Sequence, residues 1–394
     1  MKPLKTIGAI LCAALLFSAC ANKAEPTVKL ETDEWNTNYK YVFVHGLSGW
    51  GSYDDQYRYM PYWGMFGGDL LEYLNEQGFD CYAASVAPQG SAWDRACELY
   101  AQLTGNVVDY GKEHSERCDH DRFGTDYSDN PLIENWNAEN KINLLGHSFG
   151  GATVRLLSEL MANGSETERA VTDESEISGL FTGGKADWIY SITALAAPHN
   201  GTTAYNVGSE EEVEESAGGI KEQIQNFLSG LVSTATANED DGRIPTDYAS
   251  YDMYIDNALE MNNSISTLEN VYYFSFPCSS CLQADDGTYY PDEKITESLF
   301  VKSARSMGKY TGATENGFVI NESWQENDGL VNTISATAPF NAPQKEYEAG
   351  NVQKGEWNIM PTYTGDHMSL QGGLFKKNGV KDFYLEHLNR INRL

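Results

Sequence analysis

Five consecutive residues constrain this chain more than anything else in it. Gly146-His147-Ser148-Phe149-Gly150 is a G-x-S-x-G turn between an apolar run (142–145) and a segment that reads as helix (152–161). In a strand-turn-helix setting such a turn forces the serine into a strained backbone conformation. Neighbouring chain then passes so close that only glycine fits two residues to either side. The hydroxyl is lifted clear of the sheet with a helix start beneath it, and the helix dipole and the N–H of Phe149 favour negative charge beside Ser148. The plainer reading is a tight strand-to-helix turn that merely contains a serine.

Other runs say what this turn is attached to. Residues 41–44 (YVFV), 81–86, 188–197 and 271–276 read as buried strands, and 68–77, 93–103 and 382–391 as helices. Strands alternating with helices predict an α/β fold, a mostly parallel sheet with helices on both faces. Active groups gather at the C-terminal ends of such strands. Neither an internal repeat nor a flexible linker is visible, so one large domain with insertions is the simplest organisation.

Lys2 and Lys5, an apolar stretch (7–16) and small residues before Cys20 read as a signal peptide over 1–19, too short to span a membrane. The end of this segment resembles a bacterial lipobox. That predicts a lipidated Cys20, a polar tether over 20–38 and a folded domain over 39–394, on an extracellular, membrane-anchored or secreted protein. Ordinary cleavage nearby, with Cys20 incidental, is the alternative. Residues 1–19 carry two lysines and no acids, so 25 basic residues then face 57 acidic ones and the formal charge is -32. That balance disfavours nucleic acid and anionic lipid head groups as partners.

Besides Cys12 and Cys20 the cysteines are Cys81, Cys97, Cys118, Cys278 and Cys281, an odd number that leaves at least one unpaired or paired between molecules. Cys278-Ser279-Ser280-Cys281 could close a small loop disulfide or form half a metal knuckle, for which no second C-x-x-C exists.

A serine hydroxyl attacks only when a base takes its proton, so a histidine and an orienting carboxylate are required. Of seven histidines, His45 and His147 lie in the turns, His114 and His120 precede the serine, His199 adjoins Pro198, and His387 lies on the last helix. His367, in a late loop, is the candidate base. The carboxylate falls between serine and base in chain order. Asp328, in the turn Asn327-Asp328-Gly329, meets that condition, although such a turn also forms without any catalytic role. Asp366 is less suited, because adjacent residues seldom bring their side chains into line.

The motifs HGLSGWG, SAWDRACELYAQL, VDYGKEH, DHDRFG, GHSFGG, APHNGTT, ENDGLVNT, KGEWN and GDHMSL follow one another from about Tyr41 to the C-terminus. In this order they resemble the large secreted lipases of the bacillus and staphylococcus type, zinc-containing α/β-hydrolases. The resemblance implies a triad of Ser148, Asp328 and His367 and an oxyanion hole from the main-chain N–H groups of Leu47 and Phe149. Phe149 stands where the family often has Gln, a change a backbone donor tolerates. It further implies a structural zinc held by Asp94, His114, His120 and Asp252, in an inserted zinc-binding subdomain at about 90–135. Cys118, two residues before His120, either competes as a ligand or pairs with Cys97. Where the family has a calcium-binding Glu shortly after the histidine this chain has Ser369, and the following Asp-Pro is missing, so the resemblance weakens for calcium. Residues 204–251 correspond to a shortened lid region, with a helical segment at 220–232 that reads equally as a reduced lid or as a surface helix over core.

These features together predict an extracellular serine hydrolase of carboxylic esters, a triacylglycerol lipase or carboxylesterase working through an acyl-enzyme without organic cofactor. Its substrate is a lipid, a soluble ester or a polyester. A polyester or cutin-type hydrolase is the alternative if the groove beside Ser148 is open. From another class, a catalytically silent lipid-binding lipoprotein is opposed by the intact Ser148, Asp328 and His367.

Overall fold

The apolar runs build the sheet that their spacing predicts. The computed structural model describes residues 28, 30–207, 244–374 and 379–394. The signal segment, Cys20 and most of the 204–251 region lie outside these. Strands β1 (Lys40–Val44), β2 (Cys81–Ala84), β3 (Ile142–His147), β4 (Ile189–Leu195), β5 (Tyr272–Phe276), β6 (Gln344–Glu346) and β7 (Trp357–Ile359) form one seven-stranded sheet. Its order is β6-β7-β5-β4-β3-β1-β2, with every pairing parallel. Residues of β3 and β4 are buried along their whole length, as strands covered on both faces must be.

The covering helices include α1 (Leu70–Glu76), α2 (Ala92–Thr104), α3 (Lys112–Cys118), α4 (Gly150–Asn163), α5 (Ile255–Ser264), α6 (Ser298–Met307) and α7 (Val380–Asn392). Alternation along β1 sorts its side chains between two cores. Val42 and Val44 pack with Leu99 of α2 and Leu157 of α4. Tyr41 and Phe43 pack with Leu74 of α1 and Leu388 of α7. Truncating a fully buried member such as Leu74 to Ala would cost roughly 2–5 kcal/mol, because the cavity left behind closes only in part. The region expected as an insertion adds α3 and an antiparallel ribbon, Val107–Asp109 against Phe123–Asp126, whereas α2 itself belongs to the main core. Among the described residues no helix is long and apolar enough to cross a membrane.

The chain runs from β1 outward to β2, then returns to place β3 on the other side of β1. Loops leaving β1 and β3 therefore lie at the strands' C-terminal ends, the edge at which ligands bind in open parallel sheets. His45-Gly46-Leu47 and Ser148 stand there side by side.

Candidate active site and metal cluster

Ser148 has φ 54, the left-handed conformation demanded by the turn. The flanking glycines are dictated by contact: a Cβ on Gly146 would lie 2.3 Å from the carbonyl oxygen of Gly150, and one on Gly150 would lie 2.3 Å from that of Val44. The turn after β1 presses equally closely, since a Cβ on Gly46 would stand 2.7 Å from that of Ser148.

The late loops bring the other two residues in. His367 Nε2 lies 2.8 Å from Ser148 Oγ, and His367 Nδ1 lies 2.9 Å from Asp328 Oδ2. The second oxygen of Asp328 accepts from the N–H groups of Leu330 and Val331, at 3.0 and 2.7 Å, which fixes the carboxylate. The backbone N–H of His367 also donates to the Asp328 carbonyl oxygen at 2.9 Å, locking the two loops together. A carboxylate can only accept, so Nδ1 carries the proton and Nε2 is left to accept from the serine. Asp366 faces elsewhere: its carboxylate accepts from Glu297 N, Met368 N and Ser369 Oγ. Burial, with Glu297 and Asp328 nearby, pushes its pKa up to about 6.

Among the described residues, neither the N–H of Leu47 nor that of Phe149 has an acceptor. The turn that presents Leu47 is held from behind. Arg95, fully buried on α2, donates to the carbonyl oxygens of His45 and Ala87 and through Nε to Thr153 Oγ1. His45 Nδ1 lies 2.8 Å from the Gly46 carbonyl oxygen while Val86 N donates to its Nε2, so Nδ1 carries the proton. Burial drives the pKa of His45 down to about 3, helped by Arg95. Neither Arg95 nor His45 was singled out for this from sequence. Their signal, a buried cation and a buried imidazole, exists only once the chain is folded.

A second polar cluster lies at the start of α2. His114 Nε2 is 3.0 Å from Asp94 Oδ1 and 3.4 Å from Asp247 Oδ1, and His120 Nε2 is 3.8 and 3.4 Å from the same two carboxylates. The donor atoms of His114, Cys118, His120 and Asp247 all lie within 4.8 Å of one another, a grouping fit to hold a metal ion. Four donors around one tetrahedral ion at about 2.0–2.1 Å stand about 3.3–3.4 Å apart. The distances between imidazole and carboxylate bracket that value. His120 Nδ1 faces the Asp121 carbonyl oxygen at 2.9 Å and so carries the proton, while Nε2 is buried with no hydrogen-bond partner. A bare nitrogen aimed at carboxylates is costly to bury unless a cation sits between them. Burial alone would lower the pKa of His114, but Asp247 and Asp94 outweigh it and raise it, the mark of a site shaped for positive charge.

Two expectations are corrected here. Asp252 is not in the donor ring: its Oδ2 accepts from Ala92 N at 2.7 Å and holds the first turn of α2. Asp247, five residues earlier, takes the place expected for it. Among the described residues the cysteines, Cys81, Cys97, Cys118, Cys278 and Cys281, are free thiols. Cys278 and Cys281 lie three apart along extended chain, which sends their side chains to opposite faces. Cys118 Sγ stands 3.9 Å from His114 Nδ1 and belongs to the same metal-capable grouping, in keeping with the expectation that it competes as a ligand. Where calcium is bound in the resembling family, Ser369 donates to Asp366, and residues 375–378 lie outside the described ones.

Sheet order and covering helices define an α/β-hydrolase fold. The chain belongs to the lipase-like C-terminal domain family, whose model matches residues 37–230 and 241–389. It is 32% identical to lipase 2 of Staphylococcus aureus over 96% of its own length and 57% of that protein, so it spans little more than half of this relative. Among solved structures it is similar to EstA from Clostridium botulinum, with TM-score 0.76 and 31% identity over 94% of this chain and 92% of that one. It is similar also to Staphylococcus hyicus lipase, with TM-score 0.74 and 26% identity over 93% and 98%.

Proposed function

We propose that this chain is an extracellular hydrolase of carboxylic esters, a lipase or esterase, in which Ser148 is the nucleophile, His367 the general base and acid, and Asp328 its orienting partner. The observation that carries the reading is the unbroken run of hydrogen bonds from Ser148 Oγ through His367 to Asp328. The similar proteins of two staphylococci are lipases, which agrees with it.

His367 Nε2 takes the Ser148 proton as Oγ attacks the ester carbonyl, and the new oxyanion accepts from Leu47 N–H and Phe149 N–H. Arg95 and His45 hold the first of these donors in place through the carbonyl groups behind it. Asp328 stabilises the imidazolium, which returns the proton to the leaving alcohol. Water, deprotonated by the same imidazole, then releases the acid from Ser148.

The same reading takes the cation of the second cluster to be zinc, held by Asp94, His114, His120 and Asp247. Two imidazoles and two carboxylates suit zinc, and a full set of four protein donors makes the site structural, tying α2, α3 and residue 247 together. It also takes residues 1–19 as a signal peptide, Cys20 as a lipid anchor and 20–38 as a tether before the domain at 39–394.

Fluorophosphonate labelling of the purified protein tests the central claim. One equivalent of probe on Ser148, absent in Ser148→Ala, is the expected result; an unlabelled wild type that turns over no ester would refute it.

A further inference from the structure

Two buried polar side chains beside the proposed site have no part in the mechanism above, Tyr62 and His147. His147 lies between Gly146 and Ser148 with its ring wholly enclosed. Its Nδ1 is 2.6 Å from the hydroxyl of Tyr62, and its Nε2 is 2.8 Å from the carbonyl oxygen of His367. The Tyr62 oxygen in turn accepts from Gly46 N–H at 3.2 Å.

The direction of every bond in this chain is determined. A carbonyl oxygen only accepts, so His147 Nε2 carries the ring proton and Nδ1 must accept. Tyr62 therefore donates to Nδ1, and its remaining lone pair receives the Gly46 N–H. Burial drives the His147 pKa down to about 3, with His367 adding to the effect, so the ring stays neutral and this polarity does not reverse. Trp50 and Trp63 pack edge-on against Tyr62, with ring centres 5.5 and 5.3 Å away, and restrict its swing.

The chain joins three segments distant in sequence. Gly46 immediately precedes Leu47, whose N–H is a proposed oxyanion donor, His147 immediately precedes the nucleophile, and His367 is the proposed base. We infer that Tyr62 and His147 are positioning residues that hold the Leu47 turn and the His367 loop in register with Ser148. This rests on the serine-hydrolase reading and names parts that reading does not require. Neither side chain touches the reacting atoms. They act by fixing where an oxyanion donor and a base stand, and misplacement by about 1 Å costs on the order of a hundredfold in rate.

The test uses the full chain with a soluble ester and a trifluoromethyl ketone as transition-state mimic. Tyr62→Phe keeps the ring and removes the hydroxyl. It is expected to lower kcat by about ten- to a hundredfold, leave KM within about twofold, and weaken the ketone by the same factor as kcat/KM. His147→Gln keeps a donor where Nε2 stands and should retain several-fold more activity than His147→Asn or His147→Leu, which cannot reach the His367 carbonyl. Thermal unfolding of each variant separates this from a general loss of fold. A folded Tyr62→Phe with wild-type kcat and ketone affinity would overturn the inference, as would a His147→Gln no better than His147→Leu. If the wild type itself is not labelled by a fluorophosphonate, the hydrolase reading has failed and the inference falls with it. If the wild type is labelled and these variants match it, the inference alone has failed.

Discussion

The corner around Ser148 and the cluster around His120 are both buried, both polar and both built on an imidazole and a carboxylate, yet they are incomplete to different degrees. Along the run from Ser148 to Asp328 each donor meets an acceptor: hydroxyl to Nε2, Nδ1–H to Asp328, and two backbone N–H groups to Asp328. At His120 a bare nitrogen faces carboxylates, so acceptors face acceptors. The first site is finished by protein atoms and suits proton transfer. The second is a grouping that a cation would complete. Neighbouring residues of α2 serve the two, Asp94 turned to the cluster and Arg95 to the turn behind Leu47.

The sharpest way to break this contrast lies in the first site. Ser148→Ala is expected to remove about 10⁶-fold of kcat and Asp328→Asn about 10⁴-fold, while Asp366→Asn should cost less than tenfold. Steady-state rates on a soluble ester decide it. A severe Asp366→Asn beside a mild Asp328→Asn would mean the orienting carboxylate is misassigned.

Next in size is the cation. Stripping it with a strong chelator should lower stability by about 4 kcal/mol if it is normally present at a thousandfold over its Kd. Rates measured at low temperature should survive, because the nucleophile is Ser148. Elemental analysis together with melting curves checks both halves. Instant inactivation of a still-folded protein would contradict the division of labour between the two sites.

A smaller effect is expected from pH. Burial raises the pKa of Asp366 to about 6, against about 3.9 in an unfolded chain. The folded state therefore binds this proton more tightly. Stability from the group is greatest below about pH 4, falls as pH rises to about 6, and is level above that, a span of about 2–3 kcal/mol. Denaturant titrations of wild type and Asp366→Asn should diverge across that window; parallel curves would remove Asp366 from the account.

Smallest is Asp252→Ala, which takes away an acceptor for Ala92 N and should cost about 1 kcal/mol while metal content is kept. Asp247→Ala should instead lose the metal. The reverse pattern, metal lost with Asp252→Ala and kept with Asp247→Ala, would restore Asp252 to the donor ring.

How legible each part was depends on the range of the constraint behind it. Ser148 and its glycines were readable because a close turn writes its demands into adjacent positions. His367 and Asp328 were candidates by loop position and chain order, the resemblance implied them as partners of Ser148, and the distances bring all three within hydrogen-bonding reach. The long strands β1, β3, β4 and β5 declared themselves as apolar runs. By contrast β6 and β7, three residues each, are too short to show a period and form only because a sheet edge is there to pair with.

The sequence by itself determined the α/β architecture and the nucleophile turn, since each rests on local backbone limits and apolar spacing, while the proposed triad came from candidates in chain order together with the family resemblance. Only the tertiary structure decided that Asp247 rather than Asp252 faces the histidines. The two lie five residues apart in one segment, and a short helix, Ala249–Asp252, turns the later one toward the start of α2. It decided equally that Tyr62, His147, Arg95 and His45 converge behind the Leu47 turn. Hydrogen bonds across tens to hundreds of residues leave no periodic trace in the chain, and they exist only where folding has excluded water from both partners.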